Sequence, residues 1–290
     1  MPPREPDFAD DPSADVPKES ARTILFQFVV FPLGIVVIAV GVFFLFGKLA
    51  SDGQSIPDYL NQIRSGSSHE RWQAAYQLSK SLKRGEAKKY PNLEQEVAAL
   101  YVSSKSDDPR VRRYLSMVLG NLGDRRATPL LVASLDEKDV ETRIYALLAL
   151  GELHDPAAVP QVMKAAGDDE KDVRVTALYA LGSIGDPRAI PLLAATLSDP
   201  QPDVRFNAAV ALARFGDRRA LPVLREMLDR QHLNGIRSMR EDQKEDAMIV
   251  AISSITRLVG REAIPDLEPL SGDSSLRVQS AAREALAELK

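Results

Sequence analysis

Cysteine is absent from this 290-residue sequence. Its absence excludes disulfide bonds, thiolate zinc sites and a cysteine nucleophile. Aromatic residues make up only 6% of the chain, and six of the nine Phe lie between positions 26 and 46. The rest of the chain must therefore build its core from Ala, Leu, Val and Ile, whose slim side chains suit closely packed helices.

An excess of basic charge is also missing. The net charge is −4, and residues 51–290 carry 33 Lys and Arg against 35 Asp and Glu. A domain that binds nucleic acid normally has a basic face and a basic balance of charge. We therefore exclude nucleic acid as a partner.

Charge of either sign is absent from one long run near the amino terminus. Residues 24–47 contain no Asp, Glu, Lys or Arg. As a helix this run is roughly 36 Å long, which is enough to cross a bilayer core about 30 Å thick. It is too long for the apolar region of a cleaved signal peptide. We predict a transmembrane helix over residues 23–48, in contact with the lipid bilayer, and a disordered tail over the Pro-rich and acidic residues 1–22.

The basic residues that flank this predicted span indicate an orientation. Three lie on its amino side and two on its carboxyl side, which favours a cytoplasmic amino terminus. The sequence thus predicts a single-pass protein of the bacterial inner membrane, with its large domain on the non-cytoplasmic side. Residues 49–66 are predicted to form a linker and a short amphipathic helix, over residues 56–64, that covers the domain behind it.

A constant repeat length dominates the remainder of the chain, over residues 67–290. It is marked by the equal spacing of Val111, Thr142, Val173 and Val204. Each of these residues is followed 13 positions later by an Asp (Asp124, Asp155, Asp186, Asp217) and 18 positions later by a Pro (Pro129, Pro160, Pro191, Pro222). A further copy follows a short insertion, and a half-repeat closes the chain. Such a period is typical of helical hairpins that stack into a solenoid.

The recurring pattern D-x-V-R-x-x-A-x-x-A-L-G-x-x-G-D-x-x-A-x-P-x-L resembles the bacterial HEAT repeats of the phycobilisome-lyase type. The resemblance implies an all-α fold, an α-solenoid of HEAT-like helical hairpins preceded by the single transmembrane helix. HEAT arrays serve many partners, so the resemblance is specific for the fold and leaves the function open.

Residues that recur once per repeat are interpreted as structural. The Asp residues 124, 155, 186 and 217, here called the Asp column, can accept hydrogen bonds from the N–H groups at the start of the second helix. The Arg that directly follows Val111, Thr142, Val173 and Val204, here called the Arg column, can bridge to a loop. His69-Glu70 is the one His-Glu pair, whereas HEAT-type deoxyhypusine hydroxylases bind iron through several. Trp72 is interpreted as a packing residue. We therefore predict no metal, no cofactor and no catalytic residues.

The second helices line the concave face in solenoids of this kind, and their outward positions are candidates for partner binding. These positions are Gln161, Lys164, Arg225, Glu226 and Glu268. The insertion, around residues 230–246, adds His232, Ile236 and Met239. Inserts in repeat proteins often map to loops on the binding face. The alternatives are a solvated face without a partner and a surface loop without a role.

The function that fits these features is a membrane-anchored scaffold or adaptor that holds a protein partner. An accessory structural subunit of a larger membrane complex is the first alternative. An enzyme of the bilin-lyase type is a less favoured one, because no signature of chromophore chemistry is visible in the sequence.

Overall fold

The computed structural model describes residues 55–82, 89–90 and 92–289, together with Leu33, Val36 and residues 38–42. The chain divides into two compact units, Met1–Ser55 and Ile56–Lys290, which we describe separately.

In the amino-terminal unit, Leu33, Val36 and Ile38 are helical residues with exposed side chains. Among the residues that the structure describes, no helix combines the length and the apolar character needed to cross a membrane. The predicted tail, residues 1–22, and most of the predicted span, residues 23–48, lie outside the described residues.

The second unit consists of helices joined by short turns, and its described residues contain no strand. Helix α1, Ile56–Ser65, lies where the sequence predicts a helix over residues 56–64. It is followed by alternating first and second helices of hairpin repeats. The first helices are α2 (Ser68–Ser81), α4 (Pro109–Leu122), α6 (Val140–Leu153), α8 (Lys171–Ile184), α10 (Pro202–Arg214), α13 (Glu241–Val259) and α15 (Leu276–Glu288).

The second helices are shorter, and most of them begin or end in a 3₁₀ turn. They are α3 (Leu93–Ser103), α5 (Thr128–Ala133), α7 (Val159–Ala165), α9 (Ile190–Thr196), α11 (Leu221–Leu228) and α14 (Ile264–Leu267). An additional helix, α12 (Arg230–Gly235), precedes α13. Neighbouring first helices pack on one another along the whole array. The predicted all-α solenoid of helical hairpins is confirmed.

The turn inside the hairpin is the same in three of the repeats. In the repeats of α4, α8 and α10 a Gly adopts a left-handed conformation, with φ between 73° and 76°. Glycine takes this conformation without steric cost. The Asp that follows caps the next turn, as Asp217 does by accepting a hydrogen bond from the backbone N–H of Arg219 at 3.0 Å. The structure therefore confirms the predicted capping role of the Asp column.

Close approach of the first helices depends on a second column of small residues. A Cβ atom added to Gly182 would lie 2.9 Å from the Cβ of Ala211, closer than packed atoms tolerate. Gly120 faces Ala149 in the same way, with 3.0 Å to its Cα. Glycine inside a helix costs about 1 kcal/mol relative to Ala, and the packing gained by the close approach offsets that cost here.

The Arg column connects the loops between repeats. One Nη of Arg143 donates to the carbonyl of Glu137 at 2.8 Å, and the other donates to the carboxylate of Asp168 at 3.1 Å. Arg174 and Arg205 donate to the carbonyls of the loops before their own helices in the same way. The predicted bridge to an adjacent loop is confirmed for Arg143, whereas the contacts of Arg174 lie within the loop before its own helix.

Candidate binding surface

The ends of second helices α5 and α7, with the loops that follow them, enclose a groove of about 550 Å³. Two of the predicted contact residues, Gln161 and Lys164, lie on α7, are exposed, and line this groove. The floor is apolar and half-buried, and it is formed by Val132, Leu135, Val140 and Ala165. A groove of this volume falls within the range of ligand-binding pockets in proteins.

The rim of the groove is acidic. The tetrapeptide Asp-Glu-Lys-Asp occurs twice in this part of the chain, at residues 136–139 and 169–172, and residues 136–138 and 169–170 of these copies line the groove. The lining includes five carboxylates and three basic side chains. The Nζ of Lys164 lies 3.2 Å from a carboxylate oxygen of Asp136, and both side chains are 78% exposed. This rim was not predicted from the sequence, although the repeated tetrapeptide could have indicated it.

A second group of predicted residues meets on α11 and α12. Arg225 is exposed and pairs with Asp266 at 3.1 Å. The same carboxylate oxygen of Glu226 lies 3.4 Å from the Nη2 of Arg205 and 3.8 Å from the Nε2 of His232. The structure therefore brings Glu226 and His232 together, and helix α9 separates them along the array from the groove at α7.

Glu268 is exposed in the 3₁₀ segment that follows α14. The described residues provide no group of three or more His, Asp and Glu side chains that could hold a metal ion.

The insertion differs from the loop that the sequence suggested. Helix α12 is capped by Asp229, which accepts from the backbone N–H of Gln231 at 2.8 Å, and Leu233 is fully buried. Ile236 and Met239 are half-buried and pack against the core. Their side chains fasten the insertion to the solenoid, and their contact with a partner stays a prediction.

Arg230 fixes the insertion to the loop before the closing helix. It donates to both carboxylate oxygens of Asp273, at 2.9 and 2.6 Å, and to Glu241 at 2.5 Å. Partial burial alone would raise the pKa of Asp273, but hydrogen bonds from Arg230 and from the backbone of Ser275 hold that pKa below its usual value.

An aromatic row on the first helices was also missed from the sequence. The ring centroids of Tyr114 and Tyr145 are 6.0 Å apart, and that of Tyr76 is 5.1 Å from Tyr114. Trp72 continues the row, with the guanidinium of Arg110 4.3 Å from the centroid of its ring. Trp72 thus packs as predicted. The available signal was that Tyr114 and Tyr145 are separated by one repeat length.

These features define an all-helical repeat solenoid with a polar groove on its second-helix side. The repeats are HEAT-like, and the model of the HEAT-repeat family matches residues 97–177 and 159–240 of the chain. None of the curated proteins matches the sequence.

Several solved structures are similar to this chain. The complex of CpcE and CpcF of phycocyanin lyase from Nostoc sp. PCC7120 is 22% identical, with a TM-score of 0.58, over 82% of this chain and 90% of that chain. YibA from Escherichia coli is 16% identical, with a TM-score of 0.47, over 80% and 82% of the two chains. Human deoxyhypusine hydroxylase is 17% identical, with a TM-score of 0.35, over 81% and 85%. The similarity to the lyase complex supports the fold alone.

Proposed function

We propose that this chain is a membrane-anchored scaffold that holds a protein partner on its second-helix surface. The observation that carries the proposal is the groove between α5 and α7, where two outward positions, Gln161 and Lys164, border a half-buried apolar floor. Such a combination of apolar floor and polar rim is typical of peptide-binding surfaces. Arg225, Glu226, His232 and Glu268 extend the proposed contact along the array.

The membrane anchor is the second part of this proposal. It is supported by the uncharged run over residues 24–47. The span would cover residues 23–48 and hold the solenoid at a bacterial inner membrane, on the non-cytoplasmic side. The partner would then itself be a membrane-associated protein.

Binding, and not catalysis, is the proposed activity. The similarity to the CpcE and CpcF complex supports the fold, and it gives no reason to prefer a bilin-lyase type of enzyme. An accessory subunit of a larger membrane complex would differ from a scaffold in where it makes its main contact, which would be at residues 23–48.

Site-specific photo-cross-linking in cells tests the contact surface. A benzophenone amino acid at Gln161 should trap a partner protein, because that side chain is exposed at the groove. The matched control places the same group at Tyr179, an aromatic residue that is 37% exposed on first helix α8. Cross-links from residues 23–48 without any from Gln161 would favour the accessory subunit and contradict the scaffold.

Membrane fractionation tests the anchor. The full chain should remain in the membrane pellet after a carbonate wash, and a chain that lacks residues 1–50 should not, because it has lost the uncharged run. Release of the full chain by the wash would contradict the anchor and leave the binding surface to be judged by cross-linking.

A further inference from the structure

We infer that the groove between α5 and α7 receives an extended segment of the partner that carries Lys or Arg beside an apolar side chain. The inference rests on the proposed function, because it gives the chemistry of the segment that the scaffold holds. Its basis is that five carboxylates but only three cations line the groove, and that two of these carboxylates have no cationic partner.

Two of the three cations that line the groove, Arg143 and Lys164, are already engaged with the solenoid. Arg143 donates to two loop carbonyls and to Asp168, and its side chain is only 12% exposed. Its charge is therefore used to hold two loops together and is not available at the surface. Lys164 pairs with Asp136 at 3.2 Å. Lys138 is exposed on the rim and forms no ion pair with the described residues.

The carboxylates of the groove are in excess over these cations. Asp169 and Glu170 are exposed neighbours on the rim, and within the described part of the chain neither has a cationic side chain paired with it. A positive side chain that arrived here would meet two carboxylates without breaking an internal ion pair. An acidic segment would be repelled at the same place.

Lys164 indicates where such a cation can sit. Its pair with Asp136 is highly exposed on both sides, and exposed pairs of this kind contribute little to stability. The ammonium group can therefore swing into solvent when a cation of the partner takes its place beside Asp136. Removing Lys164 should then strengthen binding, because the partner no longer has to displace it.

The apolar floor of the groove indicates that the partner segment also carries an apolar side chain. Val132, Leu135 and Val140 are half-buried, so an apolar side chain between two basic ones would cover surface that now faces water. A purely polar basic peptide would leave this floor uncovered. The expected ligand is thus a basic and apolar mixture, in an extended conformation.

A second groove gives a matched control. It measures about 410 Å³, lies between α13 and α15, and is also lined by two exposed carboxylates, Glu284 and Glu288. Arg257 lines it as well, and the doubled acidic tetrapeptide is absent from its lining. Neutralising its two carboxylates changes the net charge of the protein by the same amount as neutralising Asp169 and Glu170.

The experiment measures binding of a fluorescein-labelled Arg-Leu-Arg-Leu-Arg peptide to the purified full chain by anisotropy. Two exposed rim contacts are worth about tenfold in affinity, so the double variant Asp169→Asn/Glu170→Gln should bind about tenfold more weakly. Lys164→Gln should bind more tightly than the unmodified chain. The control, Glu284→Gln/Glu288→Gln, should stay within about twofold, because it alters only distant charge.

Three results would overturn the inference. An equal loss in the control variant would mean that only the overall charge attracts the peptide. Equal binding of a Glu-Leu-Glu-Leu-Glu peptide would remove the charge preference, and tighter binding of a Gly-interrupted Arg peptide would remove the role of the floor. Cross-linking of a partner at Gln161 together with any of these results would leave the proposed scaffold standing and refute only the basic segment.

Discussion

Two regions of the solenoid place a guanidinium beside a loop Asp, and they use different residues to do so. They are the regular repeats, residues 108–224, and the carboxyl-terminal part, residues 225–289. In the regular repeats Arg143 bridges two loops, because it donates to the carbonyl of Glu137 and to the carboxylate of Asp168. At the equivalent positions the carboxyl-terminal part has Met248 and Gln279. Asp273, which corresponds in the repeat to Asp168, would be left without a cation.

The insertion supplies the missing cation. Arg230 approaches Asp273 from a different direction and makes two hydrogen bonds with it, while the side-chain amide of Gln279 donates to the backbone carbonyl of Asp273 at 2.6 Å. The inserted segment therefore does more than lengthen a loop. It replaces the guanidinium that the repeat has lost, which explains why the insertion is folded and partly buried.

The largest expected effect compares one core column in the two regions. Leu181 is fully buried in α8, so Leu181→Ala should cost about 3 kcal/mol of unfolding free energy. Leu286, at the same repeat position in α15, is half-buried because no described second helix follows it, and Leu286→Ala should cost about 1 kcal/mol. Urea denaturation of both variants measures the difference. Equal losses would mean that the closing helix is packed as tightly as the regular repeats.

The next effect concerns the replacement cation. Arg230→Met leaves the 7%-exposed side chain of Asp273 without its partner and should cost about 2 kcal/mol. Hydrogen exchange should locate the loss in α13 and α15. Arg225→Met is the control, because its pair with Asp266 has a 56%-exposed Arg and should be worth less than about 0.5 kcal/mol. Uniform faster exchange over the whole array would contradict a local role for Arg230.

The dependence on pH sharpens the same comparison. The pKa of Asp273 is lowered in the folded chain, so its ionisation contributes stability above the unfolded pKa of about 4, and that stability is lost as the pH falls through the lower, folded pKa. The difference in stability between the unmodified chain and Arg230→Met should therefore shrink below about pH 4. A difference that stays constant down to about pH 2 would show that the ion pair is not its cause.

A smaller effect tests the close packing of the regular repeats. Gly182→Ala should destabilise the chain by about 1–2 kcal/mol, because the new Cβ meets the Cβ of Ala211 at 2.9 Å. Gly151→Ala is the control, since its Cβ would lie at an ordinary 3.4 Å from the Cα of Ala180. The control should be neutral or slightly stabilising, because Ala favours helix by about 1 kcal/mol. Thermal unfolding distinguishes the two, and the opposite ranking would exclude steric contact as the reason for Gly182.

The smallest expected effect concerns the Asp that caps the turn inside the hairpin. The carboxyl-terminal repeat has Gly260 at the position of this Asp. Asp217→Ala should cost about 1 kcal/mol, as loss of a cap usually does. Asp217→Asn should retain most of that stability, because its oxygen can still accept from the N–H of Arg219. Hydrogen bonding to Arg219 lowers the pKa of Asp217, so the advantage of Asp over Asn should be present at neutral pH and disappear on acidification. An equal loss in both variants would assign the effect to the ion pair.

What could be predicted from the sequence is the part of the molecule that repeats. The roles of Asp217 and Arg143 followed from their periodic spacing, because a residue that recurs once per repeat has an environment that recurs as well. The short helix Ile56–Ser65 followed from its amphipathic pattern.

The features that could not be predicted from the sequence depend on contacts that do not recur from repeat to repeat. Arg230 and Asp273 are 43 positions apart, in a stretch where the spacing is broken, so no comparison of repeats could pair them. Ile236 and Met239 looked like surface residues because apolar content alone does not reveal which side chains pack beneath it. The groove needed two neighbouring second helices to be placed side by side before its acidic rim could be recognised.

Gly151 packs closely on Ala180, and Gly182 packs closely on Ala211. Because the same contact recurs from repeat to repeat, one whole repeat can be removed from the array. Excising residues 171–201 removes one full period of the sequence. Gly151 would then face Ala211, and Arg205 would follow Asp168 at the distance in sequence at which Arg174 now donates to its carbonyl. In the shortened chain α6 should pack on α10 with the contacts that neighbouring repeats already use, so the length of the solenoid can be changed without redesigning an interface.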